Sequence, residues 1–133
     1  MAAIALSHYN LRADRDMMAQ LRDFYCEYVG LRLGARPPLN TFGYWLYAGD
    51  EAVLHLSEIR PGEERQSAQK TAFDHVAFVC ENMNGMLARL QAGGIAFRLS
   101  DVPAMATLPR QRQIFFNDPA GNGIELNFSF PEK

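Results

Sequence analysis

Asp74-His75-Val76-Ala77-Phe78 is the stretch that decides the fold, because it has a counterpart near the start of the chain, Leu6-Ser-His-Tyr-Asn-Leu11. In both stretches a histidine lies among alternating apolar and polar residues, a pattern typical of a half-buried β-strand. The two histidines are at positions 8 and 75, which are 67 residues apart. This spacing predicts that the chain contains two copies of one structural unit.

A second pair of polar residues repeats at nearly the same distance. His55 lies in Ala52-Val-Leu-His-Leu56 and Glu125 lies in Gly123-Ile-Glu-Leu-Asn-Phe128, and positions 55 and 125 are 70 residues apart. Each copy would then supply one polar residue from its first strand and one from its last. Three imidazoles and one carboxylate suit a divalent metal ion such as Zn, Ni, Co, Mn or Fe(II).

Both halves of the chain have the same order of predicted elements, which is a strand, a helix and three strands. We therefore predict an α+β fold in a single domain over residues 1–133. Module 1 would span about residues 4–59, with its first strand at about 4–11, and module 2 would span about 72–130. The polar stretch between them, about residues 60–71, is the predicted linker.

The two predicted helices have recognisable ends. Asp14 or Asp16 can cap the first helix and Gly30 can end it, while Asn82 can cap the second. Apolar residues at helical spacing form a stripe on each helix. The stripe residues are Met18, Leu21, Tyr25 and Tyr28 in the first helix and Met83, Met86, Leu87 and Leu90 in the second.

Strand alternation separates the candidate ligands from the apolar residues. In the last predicted strand, Ile124 and Leu126 share one face, and Glu125 lies on the other with Asn127. Each histidine also has an apolar or aromatic residue directly beside it, which would point to the opposite face. These residues are Tyr9 beside His8, Leu54 and Leu56 beside His55, and Val76 beside His75. We expect a mixed sheet to bury its apolar face under the helices and to curl around a central metal cleft on the other face.

Composition excludes several classes of function. The chain has 133 residues, a net charge of −2 and 48% hydrophobic residues, which is typical of a globular protein and too acidic for a nucleic-acid-binding surface. No apolar stretch is long enough to span a membrane, and the N-terminal residues do not resemble a secretory signal. Two cysteines are too few for a disulfide framework and fit a reducing compartment, so we expect a cytoplasmic protein. From its charge and its lack of a membrane-spanning stretch, we expect no nucleic-acid or membrane partner.

Three stretches resemble the vicinal oxygen chelate superfamily, which contains glyoxalase I, extradiol dioxygenases, fosfomycin-resistance enzymes and bleomycin-binding proteins. They are Phe24-Tyr25…Gly30-Leu31, Asp74–Phe78 and Asp118-Pro-Ala-Gly-Asn-Gly-Ile-Glu-Leu126. The chain is similar to the glyoxalase-like members of that group. The resemblance implies two βαβββ modules around a metal cleft, a small-molecule substrate and assembly into a homodimer.

The resemblance also assigns the metal ligands residue by residue. His8, His75 and Glu125 match the three positions shared by many metal-dependent members, and position 55 is the fourth ligand position of glyoxalase I. Glyoxalase I has glutamate there, whereas this chain has His55. Four ligands with three imidazoles leave the site more positive, so it would hold an anionic oxygen more strongly. Glu125 is then the one carboxylate of the four that could also transfer a proton.

Three functions remain open on the sequence alone. With four ligands, the chain would be a glyoxalase-like lyase or isomerase that stabilises an enediolate-type anion. Without His55, the set of two histidines and one carboxylate suits Fe(II) and a ring-cleaving dioxygenase. A non-catalytic binding or resistance protein could use the same cleft to sequester a ligand. Arg98, Arg110 and Arg112 lie near the predicted cleft, where one of them could bind a carboxylate or phosphate.

Overall fold

A computed structural model describes residues 1–63 and 70–130 of the chain. The chain divides into two compact units, residues 1–69 and 70–133. Each unit has the order strand, helix, three strands, which confirms the predicted α+β class and the two similar βαβββ modules. Part of the predicted linker, residues 64–69, lies outside the described residues.

Unit 1 contains one four-stranded mixed sheet. Its strands are β1 (Tyr9–Ala13), β2 (Arg32–Gly34), β3 (Gly43–Ala48) and β4 (Glu51–Glu58), and its helix is α1 (Arg15–Phe24). The strand order is β1-β4-β3-β2, with β1 parallel to β4 and the other pairs antiparallel. The parallel pair needs a crossover, and α1 with the strands after it supplies that connection.

Unit 2 repeats this topology. Its strands are β5 (His75–Val79), β6 (Arg98–Val102), β7 (Gln111–Asn117) and β8 (Gly123–Ser129), and its helix is α2 (Met83–Ala92). The order is β5-β8-β7-β6, again with the first and last strands parallel. Ile124, Leu126 and Phe128 on one face of β8 are almost fully buried, as the alternation predicted.

The helix of unit 1 departs from the predicted pattern at its end. Asp14 caps α1 by accepting a hydrogen bond from the backbone N–H of Met17 at 2.8 Å. A π-helical turn over Tyr25–Val29 then follows, and Gly30 ends it in a left-handed conformation. Because a π-turn contains an extra residue, the most buried position at the end is Val29, whereas the predicted stripe residue Tyr28 is half-buried.

Two strand boundaries also differ from the predictions. The first strand begins at Tyr9, so His8 lies just before β1 and not within it. The sequence also predicts a strand over Ile95–Ser100, whereas the corresponding strand of unit 2 begins at Arg98. The backbone N–H of Ile95 still donates to the carbonyl of Leu90, so this residue completes the helix end and cannot join the sheet.

No helix in the described part of the chain is both long enough and apolar enough to cross a membrane.

Candidate metal centre

Strand register gathers the candidate ligands of unit 2 on one face of its sheet. Glu125 on β8 is directly opposite Phe115 on β7, and Phe115 is directly opposite Arg98 on β6. On the other side, β8 pairs with β5 so that Ala77 adjoins Glu125 and His75 adjoins Gly123. Residues opposite one another across a sheet point to the same side, so these side chains share one face.

Gly123 makes room for His75. A Cβ atom at position 123 would lie 2.3 Å from the carbonyl oxygen of Asp74 and 3.0 Å from Cβ of His75. Such contacts are too close for any other residue. The absence of a side chain at 123 therefore lets the start of β5 approach β8 closely, which positions the imidazole beside Glu125.

The His75 imidazole is held between two carboxylates. Its Nδ1 lies 2.7 Å from Oδ2 of Asp74, and its Nε2 lies 3.4 Å from Oε1 of Glu125. An ionised carboxylate only accepts hydrogen bonds, so Nδ1 donates to Asp74 and a neutral imidazole leaves a bare lone pair on Nε2. This nitrogen lies 3.4 Å from Oε1 of Glu125, so one cation can contact both atoms.

The distance between His75 Nε2 and Glu125 Oε1, 3.4 Å, can be compared with the distance expected between two ligands of one metal ion. Two ligand atoms about 2.1 Å from one zinc ion, at a tetrahedral angle, lie about 3.4 Å apart. The Asp74 contact also matches the carboxylate support that metal-binding histidines receive. The donor set of unit 2 therefore fits part of a metal site.

Glu125 is buried, with 8% of its surface exposed, which rules out an ordinary solvent-facing glutamate. Its Oε2 accepts a hydrogen bond of 2.8 Å from the side-chain amide of Asn127. One oxygen of the carboxylate is thus engaged and the other faces His75. The amide fixes the orientation of the carboxylate and compensates part of its desolvation.

The turn before β8 is organised by Asp118. One carboxylate oxygen of Asp118 accepts hydrogen bonds from the backbone N–H groups of Ala120 and Asn122, both at 2.9 Å, and the other accepts from the Asn122 side chain at 3.0 Å. Gly121 has a φ of 89°, which favours glycine. This turn sets where β8 begins and therefore the register of Gly123 and Glu125.

The candidate ligands of unit 1 form an aromatic stack. The His55 ring lies between Trp45, with centroids 4.0 Å apart, and His8, with centroids 3.8 Å apart, and all three rings are nearly parallel. His55 Nε2 donates to the carbonyl oxygen of Ala52 at 3.1 Å. Partial burial, assisted by the neighbouring His8, lowers the pKa of His55, so the neutral ring is favoured.

The four predicted ligands are thus brought together as two pairs, one within each unit. His8 contacts His55 in unit 1, and His75 contacts Glu125 in unit 2. Over residues 1–63 and 70–130, no group of three or more His, Cys, Asp or Glu side chains is arranged to hold a metal ion. A shared four-residue metal site remains a prediction.

A cleft of about 560 Å³ lies in unit 2 beside the His75–Glu125 pair. Its lining includes Asp74, His75, Phe97, Arg98, Phe115 and Glu125. A volume of this size is in the range of small-molecule sites in proteins. The cleft therefore has room for a substrate in contact with the candidate ligands.

Sequence reasoning missed the part played by Asp74. It lies immediately before His75 in a stretch that the family resemblance had marked, yet its side chain was not considered as a hydrogen-bond partner of the imidazole. An acidic residue adjacent to a candidate histidine ligand was the available signal. The sequence placed Asn127 on the same face as Glu125, and the structure shows that its side-chain amide donates a hydrogen bond to the Glu125 carboxylate.

The family of the chain follows from comparison with known proteins. The model of the Glyoxalase/Bleomycin resistance protein/Dioxygenase superfamily matches residues 5–126. The chain belongs to this superfamily. No curated protein sequence matches it.

Solved structures agree with this fold. A glyoxylase/bleomycin resistance protein/dioxygenase domain from Frankia sp. EAN1pec has a TM-score of 0.70 at 18% identity, covering 96% of this chain and 99% of that one. A lactoylglutathione lyase from Agrobacterium tumefaciens has a TM-score of 0.64 at 18% identity, with coverages of 96% and 95%. A genomically encoded fosfomycin resistance protein from Listeria monocytogenes has a TM-score of 0.61 at 17% identity, with coverages of 99% and 96%.

Proposed function

We propose that this protein is a metal-dependent enzyme, a glyoxalase-like lyase or isomerase that acts on a small oxygenated molecule. The observation that carries the proposal is the 3.4 Å approach of His75 Nε2 to Glu125 Oε1, with Asp74 bonded to the opposite side of the imidazole. Two ligand atoms at this separation, at the edge of a cleft, can share a divalent cation. His8 would complete the ligand set from the other module.

His55 has a different part in this proposal. Its Nε2 is engaged with Ala52, and both faces of its ring are covered by Trp45 and His8. Only Nδ1 of this ring is left to act as a fourth ligand. We assign His55 first to holding the His8 ring in position, and we treat ligation through Nδ1 as the point to be tested.

The proposed chemistry is a proton shift between adjacent carbons of the substrate. A bound divalent cation would supply positive charge that stabilises an enediolate-type anion. Glu125 Oε2, which is hydrogen-bonded by Asn127, is the atom to which we assign removal of the proton from one carbon and its return to the next. Phe115 and Phe97 line the cleft and would form an apolar wall beside this carbon.

Metal analysis is the primary test. We would reconstitute the purified chain with Zn, Ni, Co, Mn and Fe(II) in turn, desalt it, and measure bound metal by mass spectrometry. The wild type should retain about one ion per chain with at least one metal, and His75→Ala should retain background amounts. His55→Phe keeps a stacked ring without nitrogen, so retention of metal by this variant would exclude His55 as an essential ligand. Equally low metal in wild type and His75→Ala would refute the proposal.

Activity should follow the metal. Hydrogen–deuterium exchange at carbons beside a carbonyl, followed by NMR over a panel of 2-oxo and 2-hydroxy compounds, should depend on the ion and on Glu125. Glu81→Gln is a matched control, because Glu81 is an exposed glutamate of the same unit. Ligand-induced thermal stabilisation without turnover, and unaffected by chelator, would identify a binding protein instead.

A second candidate is an Fe(II) ring-cleaving dioxygenase. The commitment of His55 Nε2 to a backbone carbonyl favours it, because His8, His75 and Glu125 would then form the set of two histidines and one carboxylate that suits Fe(II). Oxygen consumption with catechol, measured with Fe(II) and with Zn, separates the two functions. Consumption only with Fe(II) would favour the dioxygenase.

We also propose a homodimer. β5 is at the edge of its sheet, and Val79 on it is 92% exposed. An apolar edge strand invites pairing with another chain, and assembly would cover it. Sedimentation equilibrium of the wild type should give twice the chain mass, and Val79→Lys should weaken the association.

A further inference from the structure

Arg98 is a cation without a hydrogen-bonding or acidic partner in the described part of the chain. The other arginines near the end of unit 2 are engaged, because Arg110 and Arg112 both contact Asp101, at 3.4 Å and 3.1 Å. Arg98 instead lies over the ring of Phe115, with Cζ 4.1 Å from the ring centroid. Its contact with the aromatic face leaves the N–H groups at the edge of the guanidinium available.

The guanidinium borders the same cleft as the His75–Glu125 pair. The centroid of Phe115 lies 4.1 Å from Arg98 Cζ and 6.2 Å from the His75 ring centroid. The guanidinium and the imidazole are therefore within about 10 Å of each other, so one small acid can reach both of them. The carboxylates of the cleft are already held, Asp74 by His75 and Glu125 by Asn127.

We propose that Arg98 binds an oxyanion on the substrate, and that the substrate is a small acid carrying this group at the end opposite its reacting oxygens. This inference rests on the proposed function for the reacting end. The planar fork of Arg98 can donate two parallel hydrogen bonds to a carboxylate or a phosphonate. Phe115, opposite Arg98 in the sheet register, holds the fork and packs against the carbon chain between the two ends.

A cation beside an apolar wall also selects against neutral compounds. Arg98 is exposed, so a neutral molecule of the same length would leave its guanidinium hydrated and would gain no ion pair with it. An acid would pair with it and would also be attracted into the cleft by its charge. Arg98 is therefore a specificity-determining residue, whereas His75 and Glu125 are assigned to the chemistry.

Binding of three probe compounds tests this assignment. 2-Oxopentanoate carries adjacent oxygens at one end only, 2-oxoglutarate adds a carboxylate at the other end, and 2-oxo-4-phosphonobutanoate places a phosphonate there. Calorimetry with metal-loaded protein should give about tenfold tighter binding when the second acidic group is present. Tighter binding of 2-oxoglutarate would show that Arg98 prefers a planar carboxylate, and tighter binding of 2-oxo-4-phosphonobutanoate would show that it prefers a tetrahedral phosphonate.

Variants identify the residue responsible for the gain. Arg98→Gln should abolish the gain, Arg98→Lys should restore part of it, and Arg110→Gln should have no effect. Equal gains in wild type and Arg98→Gln would overturn the assignment of Arg98. Binding of 2-oxopentanoate that is the same with and without metal would instead count against the proposed function, so the two failures are distinguishable.

Discussion

Asn127 donates a hydrogen bond of 2.8 Å to Glu125 from two residues farther along the same strand. Both side chains lie on one face of β8, so the strand that carries the candidate ligand also carries the group that orients it. Asn127→Ala should leave one oxygen of a buried carboxylate without this partner. We expect metal affinity to fall about 10- to 100-fold with little loss of secondary structure.

Metal titration monitored by a competing chelator dye measures this effect. Asn84→Ala is the control, because Asn84 is an exposed asparagine on the helix of the same unit. Equal metal affinity in Asn127→Ala and wild type would mean that the hydrogen bond does not prepare Glu125 for a ligand.

Gly123→Ala should destabilise unit 2 and disturb His75. The new methyl group would meet the backbone carbonyl of Asp74, which cannot move without shifting β5. Overpacking of this kind costs about 1–3 kcal/mol in the free energy of unfolding, measurable by urea denaturation.

Gly34→Ala is the comparison for this variant, because its Cβ would meet the side-chain ring of Tyr47 and not backbone. Gly34→Ala should therefore leave the His75 imidazole signals in an NMR spectrum unchanged. Unchanged His75 signals in Gly123→Ala would contradict the steric argument.

Asp118→Ala should destabilise the protein more than Asp118→Asn. Alanine leaves the backbone N–H groups of Ala120 and Asn122 without their acceptor, whereas asparagine keeps one carbonyl oxygen. We expect a loss of about 2–4 kcal/mol for alanine, since buried groups lose several hydrogen bonds at once. Thermal unfolding of both variants checks the order, and equal losses would show that the carboxylate does not organise the turn.

We expect the free energy of unfolding to fall at alkaline pH because of Cys80. Burial raises the pKa of its thiol from 9.0 to about 11. The neutral thiol therefore contributes stability that is fully present below pH 9, decreases as the unfolded chain begins to ionise, and is lost as the pH rises through about 11. Unfolding midpoints between pH 8 and 11 should fall more steeply for the wild type than for Cys80→Ala.

Thiol labelling is an independent check on Cys80. Iodoacetamide reacts with the thiolate, so native Cys80 should be alkylated slowly at pH 8 and rapidly in denaturant. Rapid labelling of Cys80 in the native protein would contradict its burial.

Local patterns were sufficient to predict the repeat and the helix caps. Asn82 accepts a hydrogen bond from the backbone N–H of Gly85, and Gly30 takes the left-handed conformation that ends the first helix. Each of these depends on residues within one turn, which the sequence displays directly. The alternation in β8 likewise depends only on the period of a strand.

Features that depend on pairing across the sheet could not be predicted in the same way. β1 begins where Tyr9 meets Leu54, so whether His8 belongs to the strand depends on a register that no local pattern specifies. The three arginines considered for substrate binding looked alike in the sequence. The structure separates them, because Arg110 and Arg112 contact Asp101 whereas Arg98 lies over Phe115 and lines the cleft.

The row formed by Glu125, Phe115 and Arg98 across three neighbouring strands has a consequence for how such a protein can diverge. The supports of the reacting pair come from the chain segments that carry it, Asp74 beside His75 and Asn127 beside Glu125. Position 98 belongs to another strand and shares no hydrogen bond with them in the described residues. Under the proposed function, a single exchange there would redirect substrate choice without rebuilding the residues assigned to the chemistry, so a directed-evolution library should begin at Arg98.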